Sequence, residues 1–190
     1  MKTYILPSIK ITIILLVILS GLYPLAIAAV GKLAPGNGDG ETVQYKGRMV
    51  GFANVGQKFT KDQYFWSRPS AVDYHADASG GSNKGPTNPD YLHKDVQGRI
   101  DTFLKHNPTV KKEDIPAELV TASGSGLDPD LSPEGATIQA ARVAKARGLS
   151  EQQVLDLVDS HTEGPLLGLF GPSKVNVLKL NIALDELKTK

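Results

Sequence analysis

An apolar stretch without a charged residue runs from residue 11 to residue 30 and consists mainly of Ile, Leu, Val and Ala. About twenty helical residues span roughly 30 Å, the thickness of the hydrocarbon core of a bilayer. Lys10 and Lys32 stand just outside the stretch, where long basic side chains reach the polar interfaces. Pro24 is compatible with a locally kinked membrane helix. The stretch therefore predicts one transmembrane helix over residues 11–31.

The same stretch also fits a signal peptide that is removed from the mature protein. Lys2 and Lys10 lie in its charged start, and residues 11–22 form its apolar part. Ala26 and Ala28 fit a small-x-small cleavage site. A secreted hydrolase with a cleaved signal peptide is therefore one alternative function. A ligand-binding module, secreted or anchored, with the Gly/Ser loops as its pocket is another.

The anchor interpretation divides the chain into four parts. They are a short N-terminal tail over residues 1–10, the transmembrane helix over 11–31, a turn-rich linker over 32–41 and one soluble domain over 42–190. A short tail with two lysines is most simply retained in the cytoplasm, which places the soluble domain outside. The lysines and arginine that follow the helix make this charge bias weak, so orientation stays open.

Nineteen glycines and twelve prolines predict a domain with many turns and long loops. Hydrophobic periodicity and capping residues predict the regular elements. In chain order they are strands over 42–45 and 48–55 joined at Lys46-Gly47, helices over 89–106 and 133–147 with Asn88 and Ser132 as caps, a third helix that Ser150 and Gln153 cap and Gly164-Pro165 ends, a strand over 175–182 and a short terminal helix. This order predicts an α+β domain.

Two polar loops resemble ligand motifs without completing them. Residues 80–85 contain glycines and a lysine, but they lack the spacing of a phosphate-binding P-loop. Asp128, Asp130 and Glu134 lack the bidentate acid that a calcium loop carries at its twelfth position. A structured surface loop and a capped helix start are the preferred interpretations.

No catalytic group is complete either. His161 is better explained as the end of a helix than as a general base, and residues 123–126 do not form a Gly-x-Ser-x-Gly elbow. The chain has no cysteine, which excludes thiol catalysis and disulfides. The net charge is +1, and the basic residues are scattered among the acidic ones without forming a basic face. Nucleic acid is therefore not an expected partner. An anchored domain without a reaction centre is typical of a subunit of a larger assembly.

Several long strings of the soluble domain, in this order and spacing, are similar to the KdpC subunits of bacterial potassium-transporting P-type ATPases. The strings are residues 64–71 (YFWSRPSA), 79–83 (SGGSN), 115–133 (IPAELVTASGSGLDPDLSP), 142–144 (RVA), 146–149 (ARGL) and 161–184 (HTEGPLLGLFGPSKVNVLKLNIAL). Together with the N-terminal helix they cover nearly the whole chain.

The resemblance implies a non-catalytic accessory subunit that assembles or stabilises an ATP-driven, high-affinity potassium uptake complex. The implied partners are a potassium-pore subunit, a P-type ATPase subunit, a small single-span subunit and membrane lipid. The implied location is the bacterial inner membrane, with a single uncleaved span. The small residues of that span, such as Ser20, Gly21 and Ala28, would then contact other helices of the pump.

The resemblance also implies a catalytic chaperone that raises the affinity of the ATPase subunit for ATP. No cofactor is expected to bind tightly, but ATP is possible through a ternary complex with the ATPase subunit. The residue spacings themselves predict no metal site. Any nucleotide contact is expected around residues 131–139, with Gln139 as the single candidate. A soluble domain outside the membrane cannot easily reach cytoplasmic ATP. A domain that covers the outer mouth of the potassium pore, and so stabilises the complex or restricts access to the filter, is the alternative mechanism.

Overall fold

A computed structural model of the chain describes residues 2–187. It divides into two compact units, one ending at Thr42 and the other beginning at Val43. The first is dominated by one long helix, and the second combines helices with two small sheets. The predicted α+β class, with one helix that is long and apolar enough to cross a membrane, is confirmed.

The N-terminal helix comprises α1 (Lys2–Val17), a π-helical turn (Ile18–Leu22) and α2 (Tyr23–Gly31). The wider π turn ends two residues before Pro24, whose missing N–H interrupts the i→i−4 ladder. By length and composition the run Thr3–Gly31 can span a bilayer, since its mean hydropathy is 2.6.

The helix begins earlier than the apolar stretch alone indicates. Residues 2–10 of the predicted tail are helical, because Tyr4, Ile5, Leu6 and Ile9 continue the apolar pattern on the N-terminal side of Lys10. Residue 1 lies outside the described part. The assignment of residues 11–31 to the bilayer stays a prediction. The linker after the helix contains a 3₁₀ turn, Pro35–Gly38.

The second unit opens with a hairpin of β1 (Thr42–Tyr45) and β2 (Arg48–Phe52). Its turn residues, Lys46 and Gly47, both have positive φ angles, of 50° and 75°, as a two-residue type I′ turn requires. The predicted hairpin is confirmed, although its second strand ends three residues earlier than expected. A second sheet has the antiparallel order β3-β5-β4. Its strands are β3 (Asp130–Leu131), β4 (Thr162–Glu163) and β5 (Lys174–Asn176).

Five α-helices and two 3₁₀ turns, Lys112–Asp114 and Ala117–Leu119, complete the described part of the second unit. The α-helices are α3 (Gln97–His106), which follows a π-helical turn (Tyr91–Val96), α4 (Pro133–Thr137), α5 (Ala140–Arg147), α6 (Glu151–Ser160) and α7 (Val177–Glu186). The predicted caps are confirmed. The side chains of Asn88 and Ser132 accept backbone N–H groups, and Ser150 forms a capping box with Gln153.

The predicted helix over 133–147 is divided into α4 and α5 near Gln139. The carbonyl of Gly135 accepts a hydrogen bond from the side-chain amide of Gln139, at 2.9 Å. The backbone N–H of Gln139 instead donates to Ala136, three residues back. The side chain thus occupies a carbonyl that a continuous helix would use for its own ladder.

The predicted strand over 175–182 is wrong beyond Asn176. The side chain of Asn176 accepts the backbone N–H of Lys179 at 3.0 Å and so begins α7. Val177, Leu180 and Leu184 are buried at helical spacing. The main core joins α5, α6 and α7 to β5 and to Phe65.

Candidate functional site

The irregular segment 64–70 crosses the core of the second unit, and two side-chain amides hold its backbone. Asn181 accepts the N–H of Phe65 at 2.8 Å and donates to its carbonyl at 3.0 Å. Gln139 accepts the N–H of Trp66 at 2.8 Å and donates to its carbonyl at 3.2 Å. Each amide therefore satisfies the backbone of one residue as a neighbouring strand would.

Arg142 lies behind this segment and is 6% exposed. Its guanidinium donates to the side chains of Gln139 and Asn107, at 2.7 and 3.1 Å. It also donates to the carbonyls of Asp62 and Tyr64, at 2.7 and 3.0 Å. Burial lowers the pKa of Arg142 to about 10, which still leaves it protonated at neutral pH. One buried cation thus ties α5 to the start of the segment.

Arg147, one turn further along α5, holds the same part of the chain from its exposed side. It donates to the carbonyl of Gln63 at 2.7 Å and to the carboxylate of Asp185 at 2.6 Å. Its guanidinium lies 4.8 Å from the centre of the Tyr64 ring, within cation–π range. The two arginines of α5 therefore fix where the segment enters the core.

A cavity of about 630 Å³ opens between segment 64–70 and α3. The indole of Trp66 meets Phe103 and His106 edge-on, with ring centres 6.5 and 4.9 Å away. The apolar part of the lining is Phe59, Trp66, Phe103 and Leu119, and the formally charged part is Lys58, Arg68, Asp73, Asp95 and Arg99. A cavity lined by apolar side chains together with charged groups is a candidate binding site.

The charged groups around the cavity are mostly paired. A hydrogen bond from Lys58 lowers the pKa of Asp73. Arg68 forms an ion pair with Asp128 at 2.8 Å. Within the described residues, the buried Nε of Arg68 has no hydrogen-bond partner. The lining carries three basic and two acidic side chains, so it is slightly positive.

Tyr74 also lines the cavity. Its hydroxyl donates a hydrogen bond to the carbonyl of Arg68. Burial raises the pKa of Tyr74 to about 12, so the phenol stays a neutral donor at physiological pH. Tyr74 therefore secures the backbone next to Arg68.

Segment 64–70, which lines this cavity, belongs to the string 64–71, one of those by which the sequence resembles known proteins. Residues 5–186 match the family described as KdpC, the c chain of the K⁺-transporting ATPase. The chain belongs to the KdpC family. It is 54% identical over 193 residues to the potassium-transporting ATPase KdpC subunit of Bacteroides fragilis, with all of both chains covered. The KdpC subunit of Flavobacterium johnsoniae is 54% identical over 95% of this chain and 96% of its own length.

A more distant KdpC subunit, that of Caldanaerobacter subterraneus subsp. tengcongensis, is 47% identical over 95% of this chain and 94% of its own length. The matches thus extend over nearly the full length of the relatives, and the resemblance stated from the loop strings is confirmed.

Two loops rich in Gly and Ser, residues 80–85 and 123–126, pack against each other in this KdpC chain. The N–H of Gly80 donates to the carbonyl of Ser125 at 2.8 Å. Gly126 has a φ of +70°, and a Cβ there would lie 2.8 Å from the Gly80 carbonyl oxygen. Lys84 is bound to Asp95 at 2.6 Å. These contacts agree with a structured loop rather than a phosphate cradle.

The other sequence motifs also have structural roles. Asp130 pairs with Lys174 at 2.9 Å. The ring Nδ1 of His161 lies 2.9 Å from the carbonyl of Leu157, at the end of α6. Among residues 2–187, no group of three His, Asp or Glu side chains could hold a metal ion.

Gln139, the predicted nucleotide contact, is completely buried. Its oxygen accepts from the Trp66 N–H and from Arg142, and its nitrogen donates to the carbonyls of Trp66 and Gly135. A side-chain amide forms about four hydrogen bonds, so Gln139 is satisfied within the chain. Its contact with ATP stays a prediction.

Sequence reasoning missed three buried polar partners of this site, Asn107, Arg142 and Asn181, as functional residues. Asn181 carries a usable signal, because it is a polar residue in the apolar string 175–184. Buried polar side chains require partners. The identity of those partners depends on contacts that sequence spacing does not reveal.

Proposed function

We propose that the chain is a non-catalytic accessory subunit of an ATP-driven potassium uptake complex, which it assembles or stabilises. The observation that carries the proposal is the KdpC family match over residues 5–186. The relatives named as potassium-transporting ATPase KdpC subunits align over nearly their whole length. The described geometry supports the non-catalytic role, since the charged groups of the site mainly hold the fold together.

The proposed location is the bacterial inner membrane, with the N-terminus in the cytoplasm and the domain that begins at Val43 outside. The helix Thr3–Gly31 supports a single span by its length and composition. The proposed partners are the potassium-pore subunit, the P-type ATPase subunit and a small single-span subunit. Membrane lipid surrounds the rest of the helix.

Co-purification tests the proposed assembly. The full chain with a C-terminal affinity tag is expressed in a potassium-limited bacterium that produces the pump, and membranes are extracted in mild detergent. We expect a large multi-spanning protein and a P-type ATPase to elute with it, but not with a tagged unrelated single-span protein. Elution of the chain alone contradicts the proposal.

The intact mass of the same purified chain tests the signal-peptide alternative. A mass that includes residues 2–31 supports the anchor. Loss of the residues up to Ala28 supports the secreted protein, because Ala26 and Ala28 form the small-x-small site.

We also propose that the subunit raises the ATP affinity of the ATPase subunit, as the family resemblance implies. The buried and fully bonded state of Gln139 favours an indirect effect, in which Gln139 positions segment 64–70. A direct contact with ATP would require these hydrogen bonds to be exchanged. The KM for ATP of the complex, measured with and without this subunit, tests the effect.

The alternative mechanism places the domain over the outer mouth of the potassium pore. Protease protection in sealed, oriented vesicles decides between the two sides. Digestion from the extracytoplasmic side supports the pore-side role and excludes direct contact with cytoplasmic ATP. Digestion from the cytoplasmic side alone excludes the pore-side role.

A further inference from the structure

A short hairpin between β4 and β5, residues 165–172, exposes a group of large apolar side chains; we call it the apolar hairpin. The N–H of Leu166 donates to the carbonyl of Phe170 at 2.9 Å, and the N–H of Phe170 returns the bond at 3.0 Å. Leu167 and Gly168 at the tip have φ angles of 55° and 73°, which is the pattern of a type I′ turn. The hairpin is therefore a defined structure.

The side chains of this hairpin point into solvent. Leu166 is 70% exposed, Leu167 and Leu169 are each 80% exposed, and Phe170 is 63% exposed. Monomeric soluble domains rarely expose contiguous apolar patches above a few hundred Å², and larger patches mark interaction sites. Leu167 also occupies a backbone region that L-residues with bulky side chains seldom adopt. An apolar residue that is both exposed and strained indicates a partner for this surface.

The chemistry of the apolar hairpin fits lipid. Residues 164–173 contain no charged side chain, and Pro165 and Pro172 have no N–H to desolvate. Besides the two bonds between Leu166 and Phe170, the N–H groups of Gly168 and Leu169 also donate to carbonyls of the hairpin. Four N–H groups of the hairpin are thus bonded internally, which lowers the cost of moving this backbone into the interfacial region of a bilayer. A protein–protein interface carries about one hydrogen bond per 100–200 Å², whereas no side chain of residues 165–172 can form one.

The chain itself supplies the tether that favours this partner. The ten or so residues of the linker 32–41 extend to at most about 35 Å. That length is close to the diameter of a domain of about 150 residues, which is roughly 40 Å. A surface on a tethered domain meets the membrane at high effective concentration.

We propose that the apolar hairpin inserts Leu166, Leu167, Leu169 and Phe170 into the interfacial region of the bilayer that holds the N-terminal helix. The inference rests on the proposed membrane location of that helix. It does not depend on the potassium-transport function. The hairpin is then a second membrane contact of this chain, which fixes the domain against the bilayer surface.

Site-specific fluorescence tests the insertion, because the chain has no cysteine of its own. The full chain with Leu169→Cys carries an environment-sensitive fluorophore and is reconstituted into phosphatidylethanolamine–phosphatidylglycerol vesicles. Some vesicles also contain a quencher on the lipid acyl chains. The matched control is Ala146→Cys, at an exposed position on α5. We expect a blue-shifted emission and at least about twofold more lipid quenching at position 169 than at the control.

Two results overturn the proposal. Aqueous emission at both positions shows that the hairpin stays in water. A blue shift at position 169 without lipid quenching shows that protein, such as a second copy of the chain, covers the hairpin. Because these measurements use the chain without its pump partners, their failure leaves the co-purification result unaffected. Far-UV circular dichroism checks that both labelled variants fold.

Discussion

At the scale of single residues, Gln139 and Asn181 do the same structural work for adjacent residues of segment 64–70. Each exchanges two hydrogen bonds with one backbone unit, Gln139 with Trp66 and Asn181 with Phe65. This equivalence makes Asn181 a matched control for the predicted nucleotide contact. The pair can separate a residue that touches ATP from one that only positions the chain.

Gln139→Ala and Asn181→Ala each leave buried polar groups without partners, so both are expected to lower the free energy of unfolding by about 2–4 kcal/mol. Urea unfolding, followed through the fluorescence of Trp66, the single tryptophan, measures this loss. If Gln139 only positions segment 64–70, both variants raise the KM for ATP of the assembled pump similarly. A rise with Gln139→Ala alone contradicts that role and supports direct contact.

Tyr74 predicts a specific loss of stability at alkaline pH. Burial raises its pKa to about 12 in the folded chain, against 10.0 for an unperturbed tyrosine. As pH rises from 10 to 12, the unfolded chain releases the phenol proton first, so stability falls. The stability that Tyr74 contributes is thus fully present below pH 10.

Tyr74→Phe removes both this titration and the hydrogen bond to the Arg68 carbonyl. We expect the variant to be about 1 kcal/mol less stable at pH 8. We expect the gap to shrink or reverse by pH 12, by about 1–2 kcal/mol after allowance for partial solvent screening. Unfolding followed by circular dichroism at pH 8, 10 and 12 measures it. A constant gap would show that Tyr74 titrates normally in the folded chain.

At the scale of elements, the parts that local sequence controls could be predicted. The caps at Asn88, Ser132 and Ser150 and the turn at Lys46-Gly47 depend on residues within a few positions of one another. The strand expected over 175–182 was wrong beyond Asn176, because short apolar runs fit both the period of a strand and that of a helix. The signal that decides between them is the cap at Asn176, inside the run.

Asn176 begins α7 and also joins it to Ala53, the residue that follows β2. Its oxygen accepts the Lys179 N–H, and its nitrogen donates to the carbonyl of Ala53 at 2.8 Å. Asn176→Ala is expected to lower the free energy of unfolding by about 2–3 kcal/mol, since it removes the cap and leaves a buried carbonyl unbonded.

Asn176→Ser is the matched variant, because its hydroxyl keeps a capping oxygen without adding a charge beside Asp130, and it loses the donor to Ala53. We expect it to recover about 1 kcal/mol of the loss. Urea unfolding of the two variants beside the wild-type chain measures the difference. Equal stability of Asn176→Ala and wild type would show that the cap does not hold α7.

At the scale of the whole molecule, the features that could not be predicted are those that depend on long-range contacts. Gln139 and Trp66 are 73 residues apart, and Asn181 and Phe65 are 116 apart. Neither pairing has a local pattern, so the cavity beside Trp66 and the burial of Gln139 could not be derived from spacing. The loop strings nevertheless indicated the KdpC family, because the residues that build such packed loops occur in a characteristic order.

The N-terminal helix offers a prediction that concerns the assembly rather than the chain alone. Gly21 lies in its π-helical turn, and a Cβ at this position would meet no atom within 4 Å. A larger residue there therefore fits the isolated chain. If the face of the helix that carries Gly21 and the other small residues contacts other helices of the pump, a larger residue at position 21 obstructs their close approach.

Gly21→Leu is accordingly expected to leave membrane insertion intact and to reduce the co-purified pump subunits several-fold. Ile27→Leu, an exchange of similar volume in α2, is the control and should keep them at the wild-type level. Carbonate extraction measures insertion, and quantitative mass spectrometry of the eluate measures the partners. Unchanged recovery with Gly21→Leu would show that this face meets lipid, and that the domain beginning at Val43 provides the contacts for assembly.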